Sequence, residues 1–216
     1  THTARFGEIE ERGYACTPAG RELYDRCLAE ADAAREKDPK LPARDFLAYD
    51  ALYAAPFKPF PKTLIELLSK GMVFGRYAPT PKGLGAAKAG TIATTDITEL
   101  VRQGFVHYEG LRYEDFLPVS AAGIFASNLN QYGTQSTAAV KPTYTQAQLE
   151  EIMGRAIIDS TTVYAGLDAA SRLDTLAKLG LTDRLPAAER ERLQKAVAAC
   201  PAGIVEEARR LIAVAV

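Results

Sequence analysis

At 216 residues the chain is long enough to bury a sizeable core without disulfide or metal staples, as one large domain or one domain with an appendage. Lys and Arg number 26 against 27 Asp and Glu, and a net charge of −1 gives no electrostatic reason to expect nucleic acid or an anionic membrane surface as partner. Cys16, Cys27 and Cys200 show no CxxC spacing, no apolar run approaches a membrane span and no signal-peptide layout opens the chain, so the expectation is a soluble, cytoplasmic protein with buried thiols.

Thr1 to Gly13, THTARFGEIEERG, alternates like a strand and ends at a glycine able to turn; it holds His2, one of two histidines in the chain. Because termini fray unless tied down, a strand at Thr1 with no lead-in suggests a piece of a longer protein. Thr17 is an N-cap with Pro18 at the first helical position. The stripe Leu23, Tyr24, Cys27, Leu28 and Ala31 predicts a helix to about Lys37, stopped by Asp38-Pro39. A short helix is expected over Arg44–Tyr53. The prolines at 56, 59 and 61 then predict an extended or irregular Ala55–Phe60, with Tyr53, Phe57 and Phe60 lining a pocket or anchoring the loop.

Lys62–Lys70 reads as a helix stopped by Gly71, and Met72–Tyr77 as a strand. Thr80–Gly85 reads as a glycine-rich turn that lacks phosphate-loop spacing. Asp96 caps a helix to Gln103 with Glu99 at the capping-box position, and Phe105–Glu109 is a strand carrying His107. In Tyr113–Phe125, small residues after Pro118 permit close backbone approach by a ligand or a neighbouring element. Asn128–Lys141 reads as a linker. Beyond it, Thr145 caps one helix, Thr161 or Thr162 starts another to Leu179, and Pro186–Ala199 and Ala202–Val216 form two more, a tail with no clustered chemistry.

Glu8 and Glu10 fall on one face of an alternating strand, flanked by Arg5 and Arg12. Three readings fit the spacing: two solvated acids, a general acid/base pair, or a carboxylate ligand for a divalent ion. The two arginines suit either neutralisation of these acids or bidentate capture of an acidic substrate.

HTARFGEIEERG, followed by TPAGRELYD, resembles the 2-oxoadipate dioxygenase/decarboxylase family, the hydroxyglutarate synthases, and YEDFLPVSAAGIFASNL at Tyr113–Leu129 matches the same family in the same order. The resemblance covers roughly residues 1–130. It implies a vicinal-oxygen-chelate-like sheet and an Fe(II) enzyme of lysine catabolism that takes 2-oxoadipate and O2 to 2-hydroxyglutarate and CO2. It implies a metal held by two histidines and one glutamate. By position in the block the glutamate is Glu10, with Glu8 as second choice, and Val119 and Ser120 match the part that approaches the substrate. Neither His2 nor His107 matches the two histidine ligands, which precede this block in the family. The resemblance therefore implies a C-terminal portion, inactive alone, whose partner is the N-terminal portion or a second copy.

The expected fold is α+β and helix-rich: residues 1–130 as part of that sheet with packed helices, 131–142 as linker, and 143–216 as an α-helical extension. Two other functions stand beside the enzyme portion: a non-catalytic remnant serving association, and a hydrolase using the glutamate pair.

Overall fold

The computed structural model describes residues 13–112, 146–154, 159–201 and 203–214. Local chemistry explains most of the helices. Helix α1 (Pro18–Lys37) starts where Thr17 accepts the Gly20 N–H at 3.1 Å, with Pro18 spending its missing donor in the first turn. The next stretch breaks in two, α2 (Leu41–Arg44) and α3 (Phe46–Ala54), because Asp45 turns extended and caps α3 through the Ala48 N–H at 3.0 Å. Ala55–Phe57, expected to be extended or irregular, is a 3-10 turn. Pro56 sits at its start, where a proline costs no hydrogen bond. Phe57 and Phe60 pack around Tyr24 at 5.8 and 6.1 Å between ring centroids, anchoring this loop to α1. No residue of α3 is buried, and Phe46 and Leu47 stand 66% and 80% exposed.

Helix α4 (Leu64–Ser69) carries a complete capping box between Thr63 and Glu66. The backbone and hydroxyl donors of Lys62 and Thr63 hold the Glu66 carboxyl below the ordinary glutamate range. Strand β1 (Gly75–Pro79) follows, then α5 (Pro81–Lys88), a helix where the sequence predicts a loop. Thr80 caps it, Pro81 opens it, and Gly83 is there because a Cβ would collide with the Phe105 carbonyl. Helix α6 (Ile97–Arg102) is capped by Asp96 as expected and leads into β2 (Val106–Gly110). Strands β1 and β2 pair antiparallel, from Gly75 opposite Gly110 to Pro79 opposite Val106.

The same parts recur. After α4, Gly71 (φ +64°) and Met72 donate back to Leu68 and Leu67; after α6, Gly104 (φ +75°) and Phe105 donate back to Val101 and Leu100. The Thr17 N–H then bonds Met72 O as the Thr80 N–H bonds Phe105 O, at 3.0 and 2.9 Å.

By its internal contacts the chain forms two units, residues 1–12 with 113–159, and residues 13–112 with 160–216. Of the first, the described part is α7 (Gln146–Met153), with Ile152 and Met153 exposed. In the second, α8 (Ser160–Lys178) lies on β1 and on α9 (Ala187–Ala199), and α10 (Ile204–Val214) packs beside α8. Its main core joins Leu68, Val73, Ile97, Leu100 and Val106 to Leu176, Leu181, Leu185 and Leu193. Burial of such side chains, each worth about 1.5–3 kcal/mol, fixes α8 and α9 against the strand pair. The result is α+β and helix-rich. The two later predicted strands pair as expected, and the one expected over residues 3–12 lies outside the described residues. Among the described residues no helix is long and apolar enough to cross a membrane.

Candidate functional site

Arg5, Glu8, Glu10, Arg12, Val119 and Ser120 all lie outside the described residues, as do His2 and the predicted linker. What the structure places is the frame from which both chemistry-bearing blocks leave. Gly13 ends the first block and Arg112 precedes the second, and Tyr14 pairs antiparallel with Arg112. Two positions far apart in sequence, one just after the first block and one just before the second, are thus paired. Arg112 lies over the Tyr14 ring at 5.4 Å, a favourable cation–π approach. One residue further in, Ala15 donates to Leu111 O at 2.7 Å, Leu111 to Phe74 O at 2.9 Å, and Phe74 to Ala15 O at 2.9 Å. This three-way ring of backbone bonds ties β1, β2 and the segment before α1 together.

Beside the bridge lies an open hollow of about 370 Å³ lined by Tyr14, Leu64, Tyr108, Glu109, Gly110 and Arg112. It presents one carboxylate and one guanidinium. His107 sits on the exposed face of β2, its Nε2 3.4 Å from Glu109 Oε1. Among the described residues no three His, Cys, Asp or Glu side chains gather into a group able to hold a metal ion. Cys16 is exposed with its thiol pushed up in pKa mainly by partial burial, the opposite of an activated nucleophile.

The buried polar chemistry of this unit belongs to α8, in the stretch read as a tail with no clustered chemistry. Asp168, Ser171 and Arg172 share one helix face. Asp168 accepts the Gly75 N–H at 2.7 Å and holds Arg172 Nε at 2.6 Å. Ser171 accepts the Tyr77 N–H at 3.2 Å, and Arg172 reaches Tyr77 Oη at 3.0 Å while its guanidinium stacks on the ring at 4.7 Å. Burial pushes the Tyr77 hydroxyl up to about 12, with Arg172 opposing and Asp168 reinforcing the shift. The i, i+3, i+4 spacing of the three residues is visible in sequence, but their partners lie on a strand some 95 residues earlier.

Comparison with known proteins bears on both blocks. The profile of the 2-oxoadipate dioxygenase/decarboxylase family matches residues 1–128. A Pseudomonas putida protein of that name is 43% identical over 166 residues, 76% of this chain and 34% of that protein. An Escherichia coli K12 protein of the same name is 35% identical over 172 residues, 80% of this chain and 36% of that one. The structure of the Pseudomonas putida hydroxyglutarate synthase in complex with 2-oxoadipate aligns with a TM-score of 0.55 and 34% identity, covering 79% of this chain and 34% of that chain. The chain therefore spans about a third of the length of the curated relatives it matches. The alignments are longer than 128 residues, so the likeness reaches past the profile match into the later part of the chain.

Proposed function

The chain belongs to the 2-oxoadipate dioxygenase/decarboxylase family, and from that premise we propose that it supplies one wall of an Fe(II) site that converts 2-oxoadipate and O2 to 2-hydroxyglutarate and CO2 in lysine catabolism. In this reading Glu10 is the carboxylate ligand, with Glu8 as second choice, and Arg5 and Arg12 balance charge beside it. Val119 and Ser120 lie against the substrate, where small side chains let the backbone come close. The iron supplies the chemistry with O2. The donors among the described residues do not make up a metal site. The chain holds two histidines, and His107 stands beside Glu109 on β2. Two histidine ligands are expected from the rest of a family-length chain, and the 216 residues by themselves are expected to be inactive.

The observation that carries this reading is the family match over residues 1–128, which takes in both blocks in order; the pairing of Tyr14 with Arg112 between them agrees with it. The test is a chimera in which these 216 residues replace the matching third of the Pseudomonas putida relative, assayed with Fe(II), O2 and 2-oxoadipate. Release of CO2 with formation of 2-hydroxyglutarate is expected from the chimera, not from the 216 residues alone, and Glu10→Ala abolishes it. Loss on Glu8→Ala instead moves the ligand to Glu8. A folded chimera without turnover overturns the function, and turnover by the 216 residues alone overturns the division of ligands.

A further inference from the structure

Two helix–strand units of the chain follow one plan but differ in length. Thr17 opens α1 and bonds the Gly71 carbonyl 54 residues on; Thr80 opens α5 and bonds the Gly104 carbonyl 24 residues on, so the first unit carries 30 residues more. The helices that close them, α4 and α6, have six residues each. The surplus lies in α1, with 20 residues against eight in α5, and in α2, α3 and the 3-10 turn Ala55–Phe57; in the second unit α5 is followed directly by α6. Among the described residues, none from Pro18 to Phe60 enters the buried apolar clusters that hold this unit together.

The surplus segment contains a helix that is apolar on both faces. In α3, FLAYDALYA, Asp50 is the one charged residue. The helix packs on α1, and its Tyr49 and Tyr53, one turn apart, are half-buried. Helical spacing puts Leu47, Ala48, Ala51 and Leu52 opposite the two tyrosines, and all four are exposed, Leu47 by 80%. A helix apolar all round belongs in an interior, and an uncharged apolar patch in water marks a contact surface.

We propose that the Leu47–Leu52 face of α3 is the docking surface for the part of a family-length chain that these 216 residues do not span. The whole surplus segment lies within residues 1–128, which the family profile matches, so whatever covers α3 is something a family member has. The matched part is 34% and 36% of two such relatives, which leaves roughly two-thirds of each chain as the occupant. A segment of the same chain sits at high effective concentration, so a small uncharged face suffices to dock it. The proposal rests on family membership and not on the iron reading.

Alkylation of Leu47→Cys by iodoacetamide, located by peptide mapping, tests it in the 216-residue chain and in the chimera. In the chain alone the new thiol reacts like that of Glu191→Cys, at a position 67% exposed on α9. In the chimera Leu47→Cys reacts slower by roughly tenfold or more, while Glu191→Cys keeps its rate. Equal rates for Leu47→Cys in the two proteins overturn the proposal. So does slow labelling of the dilute 216-residue chain, which gives the face to another part of this same chain. Protection that appears only on concentration, with dimers seen by light scattering, gives it to a second copy and overturns the proposal too. If the chimera does not fold, the 216 residues are co-expressed with the tagged remainder of the Pseudomonas putida relative. Co-purification that Leu47→Asp abolishes upholds the docking, and no co-purification overturns it. Labelling needs no turnover, so a protected face in an inactive chimera sinks the functional reading alone. An active chimera in which Leu47→Cys still reacts fast sinks the docking alone.

Discussion

The start of α1 and the start of α5 share three residue types in the same four-residue frame, Thr-Pro-x-Gly, at Thr17–Gly20 and Thr80–Gly83. In each, the threonine hydroxyl accepts the glycine N–H and donates to the carbonyl of a glycine that ends a later helix, Gly71 in one case and Gly104 in the other. In each, the second glycine sits so close to the next carbonyl, of Met72 or of Phe105, that no Cβ fits. The surroundings differ. Helix α5 and Phe105 pack on the main core. Helix α1 buries Gly20, Cys27 and Ala31 along twenty residues and faces an aromatic loop instead. The same local device therefore closes two helix–strand units at different depths. Side-chain chemistry sets its geometry, and what packs behind it sets how much the fold depends on it.

Alanine at the two glycines gives the largest expected effect and the sharpest test of that difference. A methyl group at Gly83 has to push α5 off the Phe105 carbonyl and so disturb the core behind it, at a cost of about 3 kcal/mol or more. Gly20→Ala meets the Met72 carbonyl as closely, but no residue of α1 belongs to the main core, and about 2 kcal/mol is expected. Urea midpoints with an unchanged m-value report both. Equal losses would mean that depth behind the staple does not matter.

Strand β1 runs between the Gly71 and Thr80 ends of the two staples, and α8 grips it through Tyr77. Burial raises the Tyr77 hydroxyl from 10.0 to about 12, so the folded state keeps a proton that the unfolded chain gives up. The contribution is fully present below pH 10 and is lost as pH rises from 10 to 12, by up to about 2–3 kcal/mol. Urea midpoints across that window should fall more steeply in the parent protein than in Tyr77→Phe. If the two slopes match, β1 is not held to α8 by this hydroxyl.

The two staples also show where sequence stops being legible. Thr17-Pro18 predicts a helix of the right length because a clear apolar stripe follows it. Thr80-Pro81 carries the same start signal, yet Gly83 and Gly85 weigh as helix breakers, and nothing local reveals that a carbonyl from residue 105 excludes any side chain at 83. Asp45 as the cap that starts the helix expected over Arg44–Tyr53, and Pro56 opening a 3-10 turn, are local signals that permit more than one outcome. The α8 clasp is hidden in the sequence for the opposite reason: its spacing is local, but its meaning lies in Gly75 and Tyr77. For the site, Glu10, Val119 and Ser120 come from family resemblance, since paired acids two apart fit three chemistries. The anchor at Tyr14 and Arg112 is set by strand pairing, which gives those two positions no distinctive residue type.

The smallest effect separates cap chemistry from depth. Each threonine hydroxyl makes two hydrogen bonds, 3.1 and 2.5 Å at Thr17 and 3.0 and 2.7 Å at Thr80. Removing either by alanine should cost about 1–2 kcal/mol, the range for losing a helix cap. Serine keeps the oxygen and should restore most of it. Because each site has the same pair of bonds, one part-buried within the cap and one exposed to a distant carbonyl, Thr17→Ala and Thr80→Ala should cost the same within about 0.5 kcal/mol, unlike the glycine pair. Midpoints of urea unfolding resolve a difference of that size. If Thr80→Ala costs as much more than Thr17→Ala as Gly83→Ala costs over Gly20→Ala, the hydroxyl bonds and the close approach act as one unit. Depth would then govern the whole staple rather than the packing half of it.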